Sequence, residues 1–107
     1  MLKNEQFVEA ARGFAERMIA RADDPRKRIR WAFWECLARA PTAEEESQVV
    51  HLLAQQRARF GADRQAAEAI LAVGESPRDR SLDLVEHAAW SQVATVLLNM
   101  SETITRN

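Results

Sequence analysis

The sequence predicts an all-α fold, a compact bundle of four to five helices with the last long helix at its centre. Its 107 residues include three glycines, three prolines and no tyrosine, and they are rich in alanine, leucine, glutamate and arginine. This composition favours helix over sheet. Apolar residues also recur at helical spacing in five segments. The length is near the commonest size of one domain, so we expect residues 1–107 to form a single helical domain around one core.

The first two predicted helices are separated by an acidic turn that ends at a proline. Asn4 is expected to cap the first helix, whose apolar stripe consists of Phe7, Val8, Ala11, Phe14, Ala15, Met18 and Ile19. Asp24 fits the N-cap of the second helix, and Pro25 fits its first position, where a missing N–H costs nothing. The stripe of this second helix consists of Ile29, Ala32, Phe33, Cys36, Leu37 and Ala40.

Cap signals also place the third and fourth helices. Thr42 and Glu45 have the spacing of a capping box, which predicts that the third helix begins here. Gly61 is expected to end that helix. A shorter fourth helix is predicted from Asp63 to about Val73, followed by a loop over residues 74–79 that contains Ser76 and Pro77.

The fifth predicted helix is apolar on most sides between residues 84 and 100, with Asp83 and Glu86 forming another capping box. A helix that is apolar all round is normally buried. We therefore expect this helix to occupy the centre, and one residue on each of four helices to be nearly buried in the core: Leu97, Leu53, Phe33 and Phe14.

Charge and cysteine content exclude several function classes. The formal net charge is −1, which gives no general attraction to nucleic acid or to an anionic membrane. No apolar run approaches the ~20 residues that span a bilayer, and the first residues lack the pattern of a signal peptide. The single Cys36, followed by Leu37, excludes a multi-cysteine metal site and attachment of c-type haem.

The reactive side chains have ordinary structural interpretations. His87, four residues after Asp83, is interpreted as part of a solvated helix face; the alternative is a pair of metal ligands. His51 is interpreted as a surface residue, and Cys36 as a buried structural thiol rather than a nucleophile. We therefore expect no catalytic, cofactor-binding or metal-binding residue in this chain, and no bound cofactor.

Two indoles and two arginines suggest an interaction surface instead. Trp31 and Trp34 project away from the apolar stripe of the second helix, among basic residues that include Arg28 and Arg30, and Phe7 begins the first helix close after Leu2. Interleaved basic and aromatic residues can also bind nucleic acid, but neighbouring acidic residues favour a protein contact. The isolated chain is expected to form a homodimer through such a surface.

The last residues of the chain resemble the last residues of the proteins in a known family. Residues 97–104, LLNMSETI, are similar to the closing residues of large planctomycete proteins that often pair cytochrome c modules with domains of unknown function. Residues 37–42, LARAPT, resemble a second block of that family, in which Leu-Gly-Arg precedes Pro-Thr; Ala38 stands where glycine is usual. No residue in these blocks carries a catalytic role that could be transferred.

The resemblance implies that the chain is the C-terminal domain of a larger exported or periplasmic protein. Its principal partner would then be the rest of the parent polypeptide, and its role would be structural or in protein interaction, without catalysis. The alternative is that it supplies one wall of an enzyme active site completed by the preceding region. One feature distinguishes these two roles. An enzyme half-site should expose a polar cleft in which histidine and carboxylates converge, and a structural or interaction domain should not.

Overall fold

The computed structural model describes residues 4–74 and 77–105, and this part of the chain contains five helices and no strand. The helices are α1 (Asn4–Arg21), α2 (Pro25–Leu37), α3 (Ala43–Ala62), α4 (Arg64–Leu71) and α5 (Leu84–Thr105). The predicted all-α bundle is confirmed. None of the described helices is both long enough and apolar enough to cross a membrane.

Helix α5 lies at the centre, as predicted, because it contacts all four other helices, and most extensively α1 and α3. The radius of gyration is 13.2 Å, close to the ~13 Å expected for a compact chain of this length. The four residues chosen from the sequence as core positions are all buried: Leu97, Leu53, Phe33 and Phe14. The core also contains the whole indole of Trp90 on α5.

Two hydroxyl groups on the central helix are satisfied within that helix. Ser91 Oγ donates a hydrogen bond of 2.8 Å to the carbonyl oxygen of His87, and Thr95 Oγ1 donates one of 2.9 Å to that of Ser91. Such bonds to the carbonyl four residues earlier let hydroxyls lie in a buried helix. Further along, Ser101 Oγ donates to the carbonyl oxygen of Cys36 at 2.9 Å, which ties α5 to the C-terminal end of α2.

The predicted N-terminal caps are largely confirmed. Asp24 accepts a hydrogen bond from the N–H of Arg26, with Pro25 at the first helical position. Thr42 and Glu45 form both hydrogen bonds of a capping box. Asp83 accepts from the N–H of Glu86, as half of the predicted box.

Two predicted helix ends are wrong. Gly61 does not stop α3, which continues to Ala62. Asp63 ends it instead with a non-helical φ of −139°, and its side chain caps α4 by accepting from the N–H of Ala66. Because an aspartate that caps the next helix must leave helical geometry itself, it fixes the boundary more firmly than the preceding glycine. Helix α4 ends at Leu71, two residues before the predicted end.

Smaller differences lie at the ends of α1 and α2. Asn4 lies within α1 rather than before it as a cap, and Leu2 lies outside the described residues, as does Ser76 of the predicted loop. Ala40 is exposed and lies beyond α2, because Ala38 ends that helix in the left-handed conformation, with φ 55° and ψ 34°. Glycine is the residue best suited to this conformation, so Ala38 adopts it at some steric cost.

Candidate functional site

The two indoles of the predicted interaction surface have different environments. Trp34 is 60% exposed on α2. Trp31 is half-buried against the ring of Phe14 on α1, with centroids 5.8 Å apart and planes tilted by 36°. Trp31 thus contributes to the contact between α1 and α2, whereas Trp34 presents its indole to solvent. Phe7 lies half-buried on α1.

The two arginines of the predicted interaction surface, Arg28 and Arg30, contact other residues of the same domain. The guanidinium of Arg28 lies 5.3 Å from the ring centre of Trp90, and its Nε donates to the carbonyl oxygen of Ala22. Burial lowers the pKa of Arg28, partly offset by Glu86 and Asp23. Arg28 is therefore part of the packing around α5.

Arg30 joins α2 to α3 through a shared carboxylate. Its Nε donates to Glu46 Oε1 at 2.7 Å, and Arg26 Nη1 donates to Glu46 Oε2 at 2.7 Å. These hydrogen bonds lower the pKa of Glu46 and raise that of Arg30. Trp34 follows Arg30 by four residues, so the two side chains lie next to each other on the same face of α2. Trp34 is therefore adjacent to the ion pairs that join α2 to α3.

A second feature, absent from the sequence predictions, is an open cleft of about 470 Å³ between α1, the end of α4 and the segment that leads to α5. Its described lining residues include the arginines Arg12, Arg78 and Arg80 and the carboxylate of Glu68. Leu71 and Pro77 are among its apolar lining residues. We call this feature the arginine cleft.

Arg12 forms the fixed wall of the arginine cleft. Its side chain is buried, and Nη1 donates to the carbonyl oxygens of Leu71 at 2.7 Å and Val73 at 3.2 Å. Glu9 Oε2 lies 3.7 Å from Nη2. Carbonyls at the end of a helix have no donor within that helix, and they carry its negative dipole end. Arg12 therefore caps α4 from α1, a role that its place within the apolar stripe of α1 could have signalled.

Gly74 lets the chain pass close to α1 beside this wall. Its φ is +98°, a left-handed conformation that side chains rarely adopt. A Cβ at this position would lie 2.9 Å from the Cβ of Glu9, an atom that cannot move without its helix, and still closer to the Glu9 carboxylate. Glycine is thus required here for both conformation and space.

His87 corrects a sequence interpretation, because it is fully buried rather than part of a solvated face. It lies on α5 towards α1, where its Nε2 is 3.1 Å from Glu16 Oε2, although neither ring nitrogen meets hydrogen-bond geometry. Burial lowers the pKa of His87, opposed by Glu16 and by the backbone of Arg12. A position near the start of a helix does not imply exposure, and here the buried ring of His87 lies beside Glu16 of α1.

The stability of the fold is expected to fall as the pH drops below about 6.5, the ordinary pKa of histidine. In the unfolded chain His87 takes up a proton near that pH, whereas in the folded chain its lowered pKa keeps it neutral. Protons then favour the unfolded state, and stability is lost progressively until the pH reaches the folded pKa. Urea denaturation at a series of pH values between 7.5 and 5 measures this loss.

A His87→Gln variant should remove most of that pH dependence, whereas His51→Gln should retain it, since His51 is exposed. The charged groups that act on His87 are Glu16, Arg12, Arg78 and Asp79. The pKa of Asp79 is lowered by Ser81, so this carboxylate titrates well below the window. Equal slopes in the parent and in His87→Gln would contradict this account.

The remaining reactive residues are not brought together. His51 lies exposed on α3, and Cys36 is half-buried on α2, where burial raises the pKa of its thiol. A raised pKa keeps the thiol protonated and poorly nucleophilic. Within residues 4–74 and 77–105, no three histidine, cysteine, aspartate or glutamate side chains are grouped as metal ligands would be.

Comparisons with protein-family models, with curated proteins and with solved structures gave no match to this chain.

Proposed function

We propose that the chain is a non-catalytic structural or protein-interaction domain that closes a larger exported protein, as the resemblance of its last residues implies. The observation that supports this role best is the exposure of Trp34, at 60% of its surface. Tryptophan is the residue type most enriched at the energetic centres of protein interfaces. Its indole combines a large apolar area with few rotatable bonds, so little entropy is lost when it is covered.

The helix that carries Trp34 is held firmly at both ends. Asp24 caps its start, and Glu46 binds it to α3 through Arg26 and Arg30. At its end, the carbonyl oxygen of Cys36 accepts from Ser101 on α5. Trp34 is therefore presented on a preorganised surface, which reduces the ordering needed on binding.

The enzyme alternative requires a histidine and carboxylates that meet at an open cleft. Among the described residues, the arginine cleft has the carboxylate of Glu68 among its lining groups and no histidine. His87, the histidine nearest to Glu16, is fully buried. This arrangement favours the interaction role, with the rest of the parent polypeptide as partner and a second copy of the chain as its substitute in isolation.

The quenching of tryptophan fluorescence by acrylamide provides the test. In dilute solution Trp34 should account for most of the quenchable emission, because Trp90 is fully buried and Trp31 is half-buried. A Trp34→Phe variant should lose that component. Raising the protein concentration, or adding the polypeptide that precedes this domain in its parent, should shield Trp34 and increase the mass measured by light scattering.

The matched control is Val96→Ser on α5, which changes the other large exposed apolar residue of the described chain, at 39% exposure. Association should weaken by about tenfold or more in Trp34→Ser, and by clearly less in Val96→Ser. A chain that stays monomeric, with Trp34 equally quenchable at high concentration and beside the parent polypeptide, would refute the proposal.

A further inference from the structure

We infer that residues 77–83 form a strap that acid releases: protonation of the buried His87 detaches this segment from α1 while the helices remain folded. The strap contains no helix and leads directly into α5 at Leu84. The inference does not depend on the interaction role of Trp34. It is carried by the geometry at one carboxylate, that of Glu16.

Few polar contacts attach the strap to the helices around it. Among the described residues, its hydrogen bond to a helix other than α5 runs from the N–H of Asp79 to Glu16 Oε2 on α1, at 3.4 Å. Other hydrogen bonds lie within the strap, where Ser81 donates twice to Asp79 Oδ1 and the N–H of Leu82 donates to the carbonyl oxygen of Asp79. Since exposed segments with few buried contacts open at low cost in free energy, the strap can open locally.

The carboxylate that holds the strap also lies against His87. Glu16 Oε2 is 3.1 Å from His87 Nε2, and the same oxygen accepts the N–H of Asp79. The strap, α1 and α5 therefore meet at one oxygen atom. The ring of His87 is fully buried there, and neither of its nitrogens has a hydrogen-bond partner within the described part of the chain. A change in the charge of His87 thus acts directly on the point where the strap is attached.

A proton on His87 is unfavourable while the ring stays buried. Burial penalises the charged form and lowers the pKa of His87. Glu16 offsets part of this cost, whereas Arg12 and Arg78 add to it by repulsion. The charged groups on the elements next to His87 are Glu16 and Arg12 on α1, Arg78 and Asp79 on the strap, Glu68 on α4, and Asp83 and Glu86 on α5.

Opening the strap is the least costly way to bring water to the charged ring. Separation of α5 from α1 would disrupt the most extensive contact in the fold and expose buried apolar side chains. Release of the strap breaks the hydrogen bond from Asp79 to Glu16 and leaves the packing of α1 on α5 intact. Because Pro77, Arg78 and Arg80 line the arginine cleft, the released strap would also widen that cleft.

Limited digestion with trypsin at pH 7.5 and pH 5.5 tests the inference, because Arg80 provides a cleavage site within the strap. Each rate is divided by the rate for a free peptide with the sequence of residues 77–84, which cancels the pH dependence of the protease. Cleavage that requires opening follows the population of the open form. The normalised rate after Arg80 should rise by about tenfold at pH 5.5, since the released His87 takes up one proton with the ordinary pKa of about 6.5.

A second cleavage site separates local release from unfolding of the whole domain. Arg59 lies exposed on α3, and cleavage after it requires loss of helical structure. At both pH values, normalised cleavage after Arg59, measured against a peptide of residues 55–62, should be slower than cleavage after Arg80. The core variant Leu97→Ala destabilises the whole domain, so it should accelerate cleavage after Arg59 and leave cleavage after Arg80 unchanged.

Substitutions assign the effect to His87. His87→Gln should abolish the tenfold rise, whereas His51→Gln should retain it. If circular dichroism shows that His87→Gln is unfolded, Glu16→Gln provides the test, because it keeps an acceptor for the N–H of Asp79 and removes the carboxylate that favours a charged His87. The rise in Glu16→Gln should be at least as large as in the parent, and a smaller rise would assign the release to protonation of Glu16 instead.

Three further results would overturn the inference. One is a normalised rate after Arg80 that is the same at pH 7.5 and pH 5.5. Another is a folded His87→Gln variant that retains the rise. The third is equal acceleration after Arg80 and after Arg59 in Leu97→Ala, because the strap would then open only when the whole domain unfolds.

Discussion

A Leu97→Ala variant is expected to lose about 2–5 kcal/mol of unfolding free energy, the usual result of removing a buried leucine side chain. Leu97 has no exposed surface and lies on α5, the helix that contacts all the others. Because α5 is packed against four other helices, we expect the cavity left by alanine not to close through movement of one loop. Urea denaturation at neutral pH, with the slope checked against the parent, measures the loss.

Leu98→Ala is the matched control, because it makes the same chemical change one residue later on the same helix, at a half-buried position. Its expected loss is less than half of that for Leu97→Ala, since less apolar surface leaves water there on folding. The central placement of α5 would be wrong if Leu97→Ala had the same unfolding free energy as the parent, or if the two variants lost equal unfolding free energy.

Features set by short-range hydrogen bonds could be predicted from the sequence. The capping box of Thr42 and Glu45 joins residues three apart, and the cap of Asp24 acts two residues away. The buried face of α5 was predictable for a related reason: an apolar surface on nearly all sides of one helix leaves it no stable position except the interior.

Features that depend on distant partners could not be predicted. Arg12 and the carbonyl of Leu71 are 59 residues apart in the chain, and no periodicity connects them. The burial of His87 depends in the same way on the approach of a distant helix, α1, where Glu16 Oε2 lies 3.1 Å from its Nε2. The arginine cleft has no local pattern either, because its lining residues come from α1, α4 and the segment before α5.

The two indoles of α2 show where a helical pattern has limited resolution. Both lie off the apolar stripe, yet Trp31 packs on Phe14 whereas Trp34 is mostly exposed. A stripe marks one buried face, but the width of that face depends on how many helices pack against it. Since α2 contacts α1, α3 and α5, its buried face is wide enough to include part of Trp31.

An Arg12→Met variant is expected to lose about 2–4 kcal/mol of unfolding free energy, from the loss of charge-assisted hydrogen bonds to two carbonyls. Methionine keeps the aliphatic packing of the side chain but cannot donate to Leu71 or Val73. Replacing a buried ion together with its partners by apolar groups can be neutral. Here the backbone carbonyls and the carboxylate of Glu9 remain in place, so the substitution leaves the carbonyls without their donor.

The loss should be concentrated at α4, because Arg12 is the residue that caps its C-terminal end from α1. Hydrogen exchange of the α4 amides should therefore accelerate more in Arg12→Met than exchange of the α5 amides. In Arg12→Lys, the exchange rate of the α4 amides should lie between those of the parent and of Arg12→Met. One ammonium is a compact donor, and it matches two separated carbonyls less well than a planar guanidinium does. Arg17→Met, at an exposed position of the same helix, is the control and should lose little. Uniform acceleration across all helices in Arg12→Met would show instead that Arg12 acts on the whole core.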